Sequence, residues 1–350
     1  VGGIYNAFTG QEYTGYFAKV AVSQLDLALD WVSDIFLNSI LPEKEAKREK
    51  NVIIEEINMF NDNPMAYVEL LWMRLLYGDQ PAGWDIAGTK ETVAGINRQK
   101  LLNYMKSQYV ASNTIVCVAG NIKSSQVIAK IKSSFASIST AQSFKKAKVI
   151  ERQTQPECLI HARKTDQTHL CLGFRAHNIS QPQRYAQDIL GIILGGMMSS
   201  RLFMEVREKL GLAYYIRTEV SANPDTGFLM TRAGVDNKNV EKAISTILKE
   251  YRKISQKPVP KPELKKAKDY VKGKMALLLE PSDALASFYG EQELLKREIL
   301  TPKEIYAKID KVSVNDILKV ARNVFQPKKL NLALIGPFKD KNIFRKILRI

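Results

Sequence analysis

The 350-residue sequence predicts an α+β protein of two duplicated domains, each a mostly antiparallel sheet packed against helices. The composition, 45% hydrophobic and 25% charged, is that of a globular protein. The same order of strands and long helices occurs in both halves of the chain. Between the halves, residues 137–157 are rich in Ser, Thr, Gln and Lys without periodicity, which is typical of a linker. The predicted domains are therefore residues 1–136 and 158–350.

The first half is predicted to begin with a hairpin and to continue with helices. Residues 4–22 carry β-branched and aromatic residues around a Gly-Gln-Glu turn, which indicates two paired strands. Helix-start signals follow at Ser23 and Pro42, and the second helix stops before Pro64. The remaining predicted elements are helices at 66–77 and 98–109 and a closing strand at 113–120.

The second half repeats this order. Its predicted elements are strands at 214–220 and 227–235, a helix after Asp236, a helix from Pro262 through Lys274, and a closing strand at 331–336. In the first of these helices, apolar residues recur at helical spacing, at Val240, Ile244, Ile247, Leu248 and Tyr251. Matching Phe17 with Phe228 needs an offset of 211 residues, and matching Gly120 with Gly336 needs 216. This nearly constant offset favours a duplicated domain.

Composition and charge exclude several classes of protein. The 52 Lys and Arg residues against 36 Asp and Glu give a net charge of +16. The lysines are spread through amphipathic helices, which favours a solvated basic surface over a binding face for nucleic acid or an anionic membrane. The longest apolar run, 189–198, is about half a membrane span. Three cysteines in no metal-like spacing predict small core residues in a reducing compartment, and we expect the cytoplasm.

A pair of acids occupies the second helix. Glu49 and Glu56 are seven residues apart, so they lie about 20° out of alignment on one helix face. Apolar residues lie between them, and a carboxylate on such a face needs a partner. The spacing leaves two partners open, a metal ion and a Lys or Arg side chain. Aligning the matching helix of the second half places Asp269 opposite Glu49 and Ala276 opposite Glu56, so the pair is complete only in the first half.

Three segments together resemble the pitrilysin/insulinase (M16) family of zinc metallopeptidases, especially its smaller processing-peptidase type. They are VGGIYNAFTGQEYTGYF, REKNVIIEEINMFNDNP and LGGMMSSRLFMEVREKLGLAYYI. The resemblance covers essentially the whole chain, including VAGNI and LIGPF. It implies a half of a metallopeptidase clamshell and a zinc-dependent endopeptidase that hydrolyses peptides or unfolded polypeptides in an enclosed chamber.

The resemblance also implies a zinc site. In that family an HxxEH helix supplies two histidine ligands and the general base, and a later glutamate is the third ligand. Glu56 matches that third Zn²⁺ ligand, and Glu49 matches the outer glutamate that orients the site. The sequence contains no HxxEH. We expect an N-terminal truncation with the general base upstream of Val1, so that no catalytic residue lies within this chain and it neither binds Zn²⁺ tightly nor hydrolyses peptides.

Substrate-binding residues are implied in both halves. Asn6, Ala7 and Phe8 match an edge strand to which a peptide adds as a further strand, although Asn6 by itself is also typical of a turn. Arg207 and Tyr214 match an Arg and a Tyr that reach the substrate. Their other interpretation is a helix-end Arg in a surface ion pair and a core Tyr.

The expected partners are a peptide substrate and a second copy of the chain. The zinc-ligand helix and the Arg/Tyr pair occur in one chain, which favours a homodimer or a self-sufficient clamshell over an obligate heterodimer. No nucleic acid and no membrane is expected as a partner. The alternative function is that of a catalytically silent M16 homologue, which serves as a peptide-binding or assembly subunit.

Overall fold

The computed structural model describes residues 1–296 and 298–350. The strands are β1 (Ile4–Thr9), β2 (Thr14–Lys19), β3 (Glu157–Ala162), β4 (Gln167–Arg175), β5 (Ala213–Ala222), β6 (Gly227–Asp236) and β7 (Leu330–Gly336). The helices are α1 (Leu25–Leu37), α2 (Glu43–Asp62), α3 (Pro64–Tyr77), α4 (Lys90–Ala94), α5 (Arg98–Gln108), α6 (Ser124–Ser134), α7 (Arg184–Gly191), α8 (Val240–Gln256), α9 (Lys261–Leu278), α10 (Ser282–Lys296), α11 (Pro302–Lys311), α12 (Val314–Val324) and α13 (Asn342–Ile347).

Most predicted elements are confirmed, but the strand predicted at 113–120 is wrong. Residues 114–119 have no regular secondary structure, and next to them only Val110 forms an isolated bridge, with Ser139. A strand is stabilised by a neighbouring strand, and this apolar run has none within the described ranges. Cys117 lies in this segment and is exposed, whereas Cys158 and Cys171 are buried. The prediction of core cysteines is therefore correct for two of the three.

Contacts divide the chain into two compact units. Unit 1 consists of Val1–Ile57, Asp85–Ala147 and Ala276–Leu300. Unit 2 consists of Asn58–Trp84, Lys148–Met275 and Thr301–Ile350. Each half of the chain thus gives a helix to the other unit, because α3 belongs to unit 2 and α10 to unit 1. The predicted domains contain no such exchange, and their boundaries stay a prediction.

Unit 2 contains a five-stranded sheet in the order β3-β7-β4-β6-β5. Only β3 and β7 are parallel, so the sheet is mostly antiparallel as expected. Helix α3 packs on one face, where Trp72 and its neighbours form a core with Cys171 of β4 and Met230 of β6. On β4, Phe174 contacts the rings of Tyr251 (α8) and Phe325. All five apolar positions predicted for α8 are buried.

Unit 1 contains the β1–β2 hairpin and helices. Two polar contacts connect the hairpin to α10, which follows nearly 270 residues later in the chain. The Tyr13 hydroxyl donates a hydrogen bond to the Glu291 carboxylate. The Lys19 Nζ donates to Asp283 Oδ1 over 2.7 Å. These contacts show how a helix of the second half of the sequence becomes part of unit 1.

Residues 148–156, the second part of the predicted linker, are attached to unit 2 without forming a helix or strand. The Ile150 amide donates to Gln80 Oε1 at 2.8 Å, and Gln80 Nε2 donates back to the Ile150 carbonyl at 3.1 Å. Glu151 accepts a hydrogen bond from Thr226 at 3.1 Å and lies 3.5 Å from the Arg175 guanidinium. This stretch is largely exposed and is held in place by side chains of unit 2.

Candidate functional site

Glu49 and Glu56 lie on α2, and both side chains are exposed. Neither carboxylate forms a hydrogen bond or ion pair with the described part of the chain. Of the apolar residues between the two acids, Val52 is 45% exposed and Ile53 is half-buried, so water still reaches this helix face. Desolvation penalises a charge only where water is removed, so the two acids need no protein partner here. Both carboxylates are free to bind a ligand.

The matching acid of the second half has a different environment. Lys265 Nζ donates to Asp269 Oδ2 at 2.6 Å, and Lys272 Nζ lies 3.9 Å from Asp269 Oδ1. The hydrogen bond from Lys265 lowers the pKa of Asp269. The same helix position therefore carries an acid paired with lysines in α9 and an unpaired acid in α2.

The residues present do not by themselves fit a zinc ion. A catalytic zinc site takes three protein ligands, and residues 1–296 and 298–350 contain no group of three His, Cys, Asp or Glu side chains placed to hold a metal. The three histidines have other contacts: His161 with the Tyr67 ring, His169 with the Tyr215 hydroxyl, and His177 with Gln181. Glu56 offers a single carboxylate ligand, and no reaction step follows from it alone.

The free edge of β1 presents backbone groups in a defined register. The Gly10 amide donates to the Tyr13 carbonyl at 2.8 Å and closes the hairpin. Hydrogen-bonded and non-hydrogen-bonded pairs alternate from there, and Ala7 is paired with Tyr16 in a non-hydrogen-bonded position. The N–H and C=O of Ala7 therefore point away from β2, as do those of Tyr5 and Thr9. No third strand occupies this edge within the described ranges.

Asn6 and Phe8 support this edge in different ways. The Ala7 amide donates to Asn6 Oδ1 at 2.8 Å, so an exposed side chain satisfies an outward backbone donor. The Phe8 ring lies over Gly15, where a Cβ would come within 2.2 Å of the ring. It also contacts the rings of Tyr13 and Phe17, at 5.7 and 6.5 Å between centroids. Asn6 thus forms a hydrogen bond with a backbone group of the free edge, whereas Phe8 packs against other residues of the hairpin.

Arg207 and Tyr214 flank a turn in unit 2. A π-helical segment, Phe203–Lys209, ends before Gly211, whose φ of +58° is a conformation that glycine adopts most easily. The Arg207 guanidinium lies 4.8 Å from the centre of the Phe203 ring, and its closest acid, Glu208, is at 4.0 Å. Tyr214 is 76% exposed at the start of β5. The interpretation of Tyr214 as a core residue is therefore wrong, and both side chains reach solvent.

Unit 2 contains a pocket that is lined in part by His169, and the sequence did not indicate it. Pro64 at the start of α3 and Arg163 at the β3–β4 turn meet there. These residues are about 100 positions apart in the sequence. The only indication of the pocket in the sequence was the pair of basic residues Arg163 and Lys164, and this pair resembles many other solvent-exposed clusters of basic residues.

Within residues 1–296 and 298–350, the helices are too short or too polar for any of them to span a lipid bilayer.

Family models cover most of the chain. Residues 1–90 match the family described as Insulinase (Peptidase family M16), and residues 95–271 match the Peptidase M16 inactive domain.

Relatives match over nearly the whole chain. The uncharacterized zinc protease YmxG of Bacillus subtilis is 36% identical over 96% of this chain and 81% of its own length. The uncharacterized zinc protease SCO5738 of Streptomyces coelicolor is 31% identical over 99% of this chain and 76% of its own length.

Solved structures share the fold. A protease from Helicobacter pylori superposes with a TM-score of 0.88 at 21% identity, covering 96% of this chain and 83% of that one. A chain of complex III2 from Candida albicans superposes with a TM-score of 0.87 at 18% identity, covering 100% and 86%.

Proposed function

The chain belongs to the M16 peptidase family, and from this membership we propose that it carries the glutamate ligand of a zinc-dependent endopeptidase. One observation carries the proposal: Glu56 is an exposed carboxylate on α2 without a protein partner, at the position that resembles the third zinc ligand. The relatives are named zinc proteases. The two histidine ligands and the general base would come from outside these 350 residues, and Glu49 would orient the site.

The substrate in this proposal is a peptide or an unfolded polypeptide, hydrolysed in an enclosed chamber. An extended peptide adds to the free edge of β1 through the outward backbone groups of Tyr5, Ala7 and Thr9, which bind any sequence. The Ala7 amide exchanges Asn6 Oδ1 for a peptide carbonyl. Arg207 holds a substrate carbonyl or carboxylate, and Tyr214 donates a hydrogen bond to the developing oxyanion. Both side chains are exposed and so accessible to a substrate. The homodimer stays a prediction.

The test compares Glu56→Gln with Glu55→Gln in a form of the protein that includes an HxxEH segment. Both changes remove one exposed carboxylate from α2, but the positions are about 100° apart around the helix. Zinc content is measured after dialysis, and turnover is measured with a quenched peptide. We expect Glu56→Gln to lose its zinc and to hydrolyse the peptide at least about 100-fold more slowly. The reason is that replacing a residue that only supports a metal ligand already lowers metal affinity or activity by about 10–100-fold. Glu55→Gln should keep both.

Two results would contradict the proposal. Unchanged zinc content and rate in Glu56→Gln would remove Glu56 from the site. For the 350-residue chain alone we expect no tightly bound zinc and no turnover, so hydrolysis by this chain that a chelator abolishes would show that its own residues complete a site.

The second candidate is a catalytically silent subunit that binds peptides or supports an assembly. The match of residues 95–271 to the M16 inactive domain favours it. A protein of this kind would bind peptides at the β1 edge, yet show no zinc-dependent turnover in any form. A degenerate motif in place of HxxEH in the native gene would support this candidate.

A further inference from the structure

A pocket of unit 2 lies between the β3–β4 turn and the first residue of α3. Its volume is about 440 Å³, and its lining includes Pro64, Arg163, Lys164, Thr165 and His169. Ligand sites in proteins typically have volumes of about 300–1,000 Å³ and a few convergent polar groups. The volume of this pocket falls in that range, and its lining is mostly polar.

The polar groups of the pocket are mostly cationic or hydrogen-bond donors. Arg163 and Lys164 outnumber the single lining acid, Asp166, while Asp62 Oδ1, outside the lining, lies 3.9 Å from Arg163 Nη2. Pro64 is the first residue of the 14-residue helix α3, and the N-terminal end of a helix carries a partial positive charge. His169 Nδ1 lies 3.0 Å from the Tyr215 hydroxyl. Burial lowers the pKa of His169, so an anion beside it would find a neutral imidazole that is able to take up a proton.

Two features show that the pocket is built before any ligand arrives. Arg163 Nη1 donates to the Asn61 carbonyl at 2.5 Å and Nη2 donates to the Asp62 carbonyl at 3.3 Å, so the end of α2 holds the guanidinium in one orientation. The Thr165 hydroxyl oxygen is buried and has no hydrogen-bond partner in the described part of the chain. A buried hydroxyl without a partner is unfavourable, because it has lost its hydrogen bonds to water. A ligand atom that bonds to it would replace one of those hydrogen bonds.

The charge of the protein is concentrated in the unit that contains this pocket. Unit 2 holds 36 Lys and Arg residues against 20 Asp and Glu, whereas unit 1 holds 16 of each sign. The whole net charge of +16 therefore belongs to unit 2. A local excess of one sign raises the local concentration of the opposite ion, which favours an anionic ligand.

We propose that this pocket binds the oxyanion of a small molecule or chain end, a carboxylate or a phosphate group, through Arg163, Lys164, His169 and the Thr165 hydroxyl. Arg163 contributes a positive charge held in one place, because both of its Nη atoms already donate to carbonyls at the end of α2. The pocket is larger than an inorganic ion requires, so the oxyanion would be one end of a larger ligand.

The test follows the imidazole resonances of the 350-residue chain by NMR. The chain has three histidines, so His161 and His177 serve as internal references for His169. Each is titrated with pH in sodium chloride and in inorganic phosphate of equal ionic strength. A bound anion favours the charged imidazole, so we expect phosphate or acetate to raise the pKa of His169 by on the order of 0.5–1 unit and to leave that of His177 unchanged. A uniform shift of all three histidines would overturn the proposal.

A pair of lysine variants supplies a second readout. Lys164→Gln removes a charge that lines the pocket, and Lys303→Gln removes one exposed charge of unit 2 that does not line it. In Lys164→Gln, we expect half of the anion-dependent pKa shift of His169 to require an anion concentration at least about threefold higher. In Lys303→Gln, that concentration should be unchanged. Equal weakening by both variants would show that the shift depends on the overall charge of unit 2 and not on this pocket, and would overturn the proposal.

Two probes distinguish the source of the oxyanion. Inorganic phosphate represents a phosphorylated ligand, and acetate, followed by a short peptide with a free or an amidated C-terminus, represents a carboxylate. A selective response to phosphate assigns a phosphate group. A response to acetate and to the free peptide, but not to the amidated one, assigns a carboxylate. No selective response of His169 to either probe would overturn the proposal.

Discussion

Unit 1 and unit 2 both contain a hairpin followed by two long helices, β1-β2-α1-α2 and β5-β6-α8-α9, but their sheets differ. In unit 2 the hairpin joins three further strands, and β4, β6 and β7 are almost completely buried. In unit 1 the hairpin pairs with no other strand in the described ranges, and β1 is exposed along its whole length. The same order of strands and helices along the chain therefore does not determine how many strands a sheet contains, because each added strand comes from a distant part of the chain.

The two units also differ in surface character. Unit 1 has no net charge and exposes apolar residues on its hairpin, with Ile4 at 61% and Tyr5 at 68% exposure. Unit 2 carries the entire positive charge. The first surface suits an extended chain that adds to an apolar edge, and the second suits an anionic group.

The largest expected effect tests whether α3 belongs to the core of unit 2. Trp72 is 1% exposed and packs against the sheet, whereas Trp84, in the same chain segment, is 55% exposed. Trp72→Ala should lower the free energy of unfolding by about 3–5 kcal/mol through the cavity that it leaves. Trp84→Ala should cost less than about 1 kcal/mol. Urea unfolding followed by circular dichroism measures both, and similar values for the two would break the assignment of α3 to unit 2.

The next effect concerns the free edge of β1; in unit 2 the corresponding hairpin β5–β6 is joined to further strands through β6. The Ala7 amide points away from β2, whereas Asn6 is paired with Phe17 in a hydrogen-bonded position. Ala7→Pro should leave the hairpin folded and weaken peptide binding up to about tenfold, the value of one backbone hydrogen bond. Fluorescence anisotropy with a labelled peptide measures the affinity.

Asn6→Pro is the matched control for that prediction. It removes a donor that faces β2, so it should lower the melting temperature more than Ala7→Pro does. Equal peptide affinities of Ala7→Pro and the unchanged protein would show that the peptide binds elsewhere.

The smallest effect compares helix starts in the two units. In unit 2, the Ser313 hydroxyl accepts from the Asp316 amide at 3.2 Å and donates to the Asp316 carboxylate at 2.7 Å. In unit 1, α6 begins after Lys123 without a side-chain cap. Ser313→Ala should cost about 1 kcal/mol, and Lys123→Ala less than about 0.5 kcal/mol. Thermal unfolding at pH 7 measures both, and a Lys123→Ala cost as large as that of Ser313→Ala would contradict the difference in capping.

The pH dependence of the Ser313 effect has a defined sign. Hydrogen bonds from the Ser313 side chain and backbone lower the pKa of Asp316 below its usual value. A lowered carboxyl pKa contributes stability above the unfolded-state pKa, near 3.9, and that contribution disappears as the pH falls through the folded-state pKa. The difference between the unchanged protein and Ser313→Ala should therefore shrink below about pH 4. A difference that stays constant down to pH 2 would exclude the carboxylate from the cap.

Local signals in the sequence determined much of the fold. Helix α8 follows from the 3.6-residue spacing of five apolar residues, all of which are buried. The hairpin β1–β2 follows from β-branched residues around a turn, and the end of the π-helical segment follows from Gly211. These features depend on contacts between residues close in sequence, so the pattern is sufficient to predict them. The resemblance that identified the M16 family also depends on short contiguous segments.

Only the tertiary structure decided the features that join distant residues. Residues 113–120 have a strand-like pattern but no partner, so they form no strand. Helix α3 was predicted correctly as a helix, yet its place in unit 2 depends on a sheet formed more than 80 residues later in the chain. Whether Glu56 is buried or exposed, and whether Arg163 meets His169 and Pro64, are likewise matters of packing. Spacing in the sequence gives the direction of a side chain on its own helix, but burial depends on which other element covers that face.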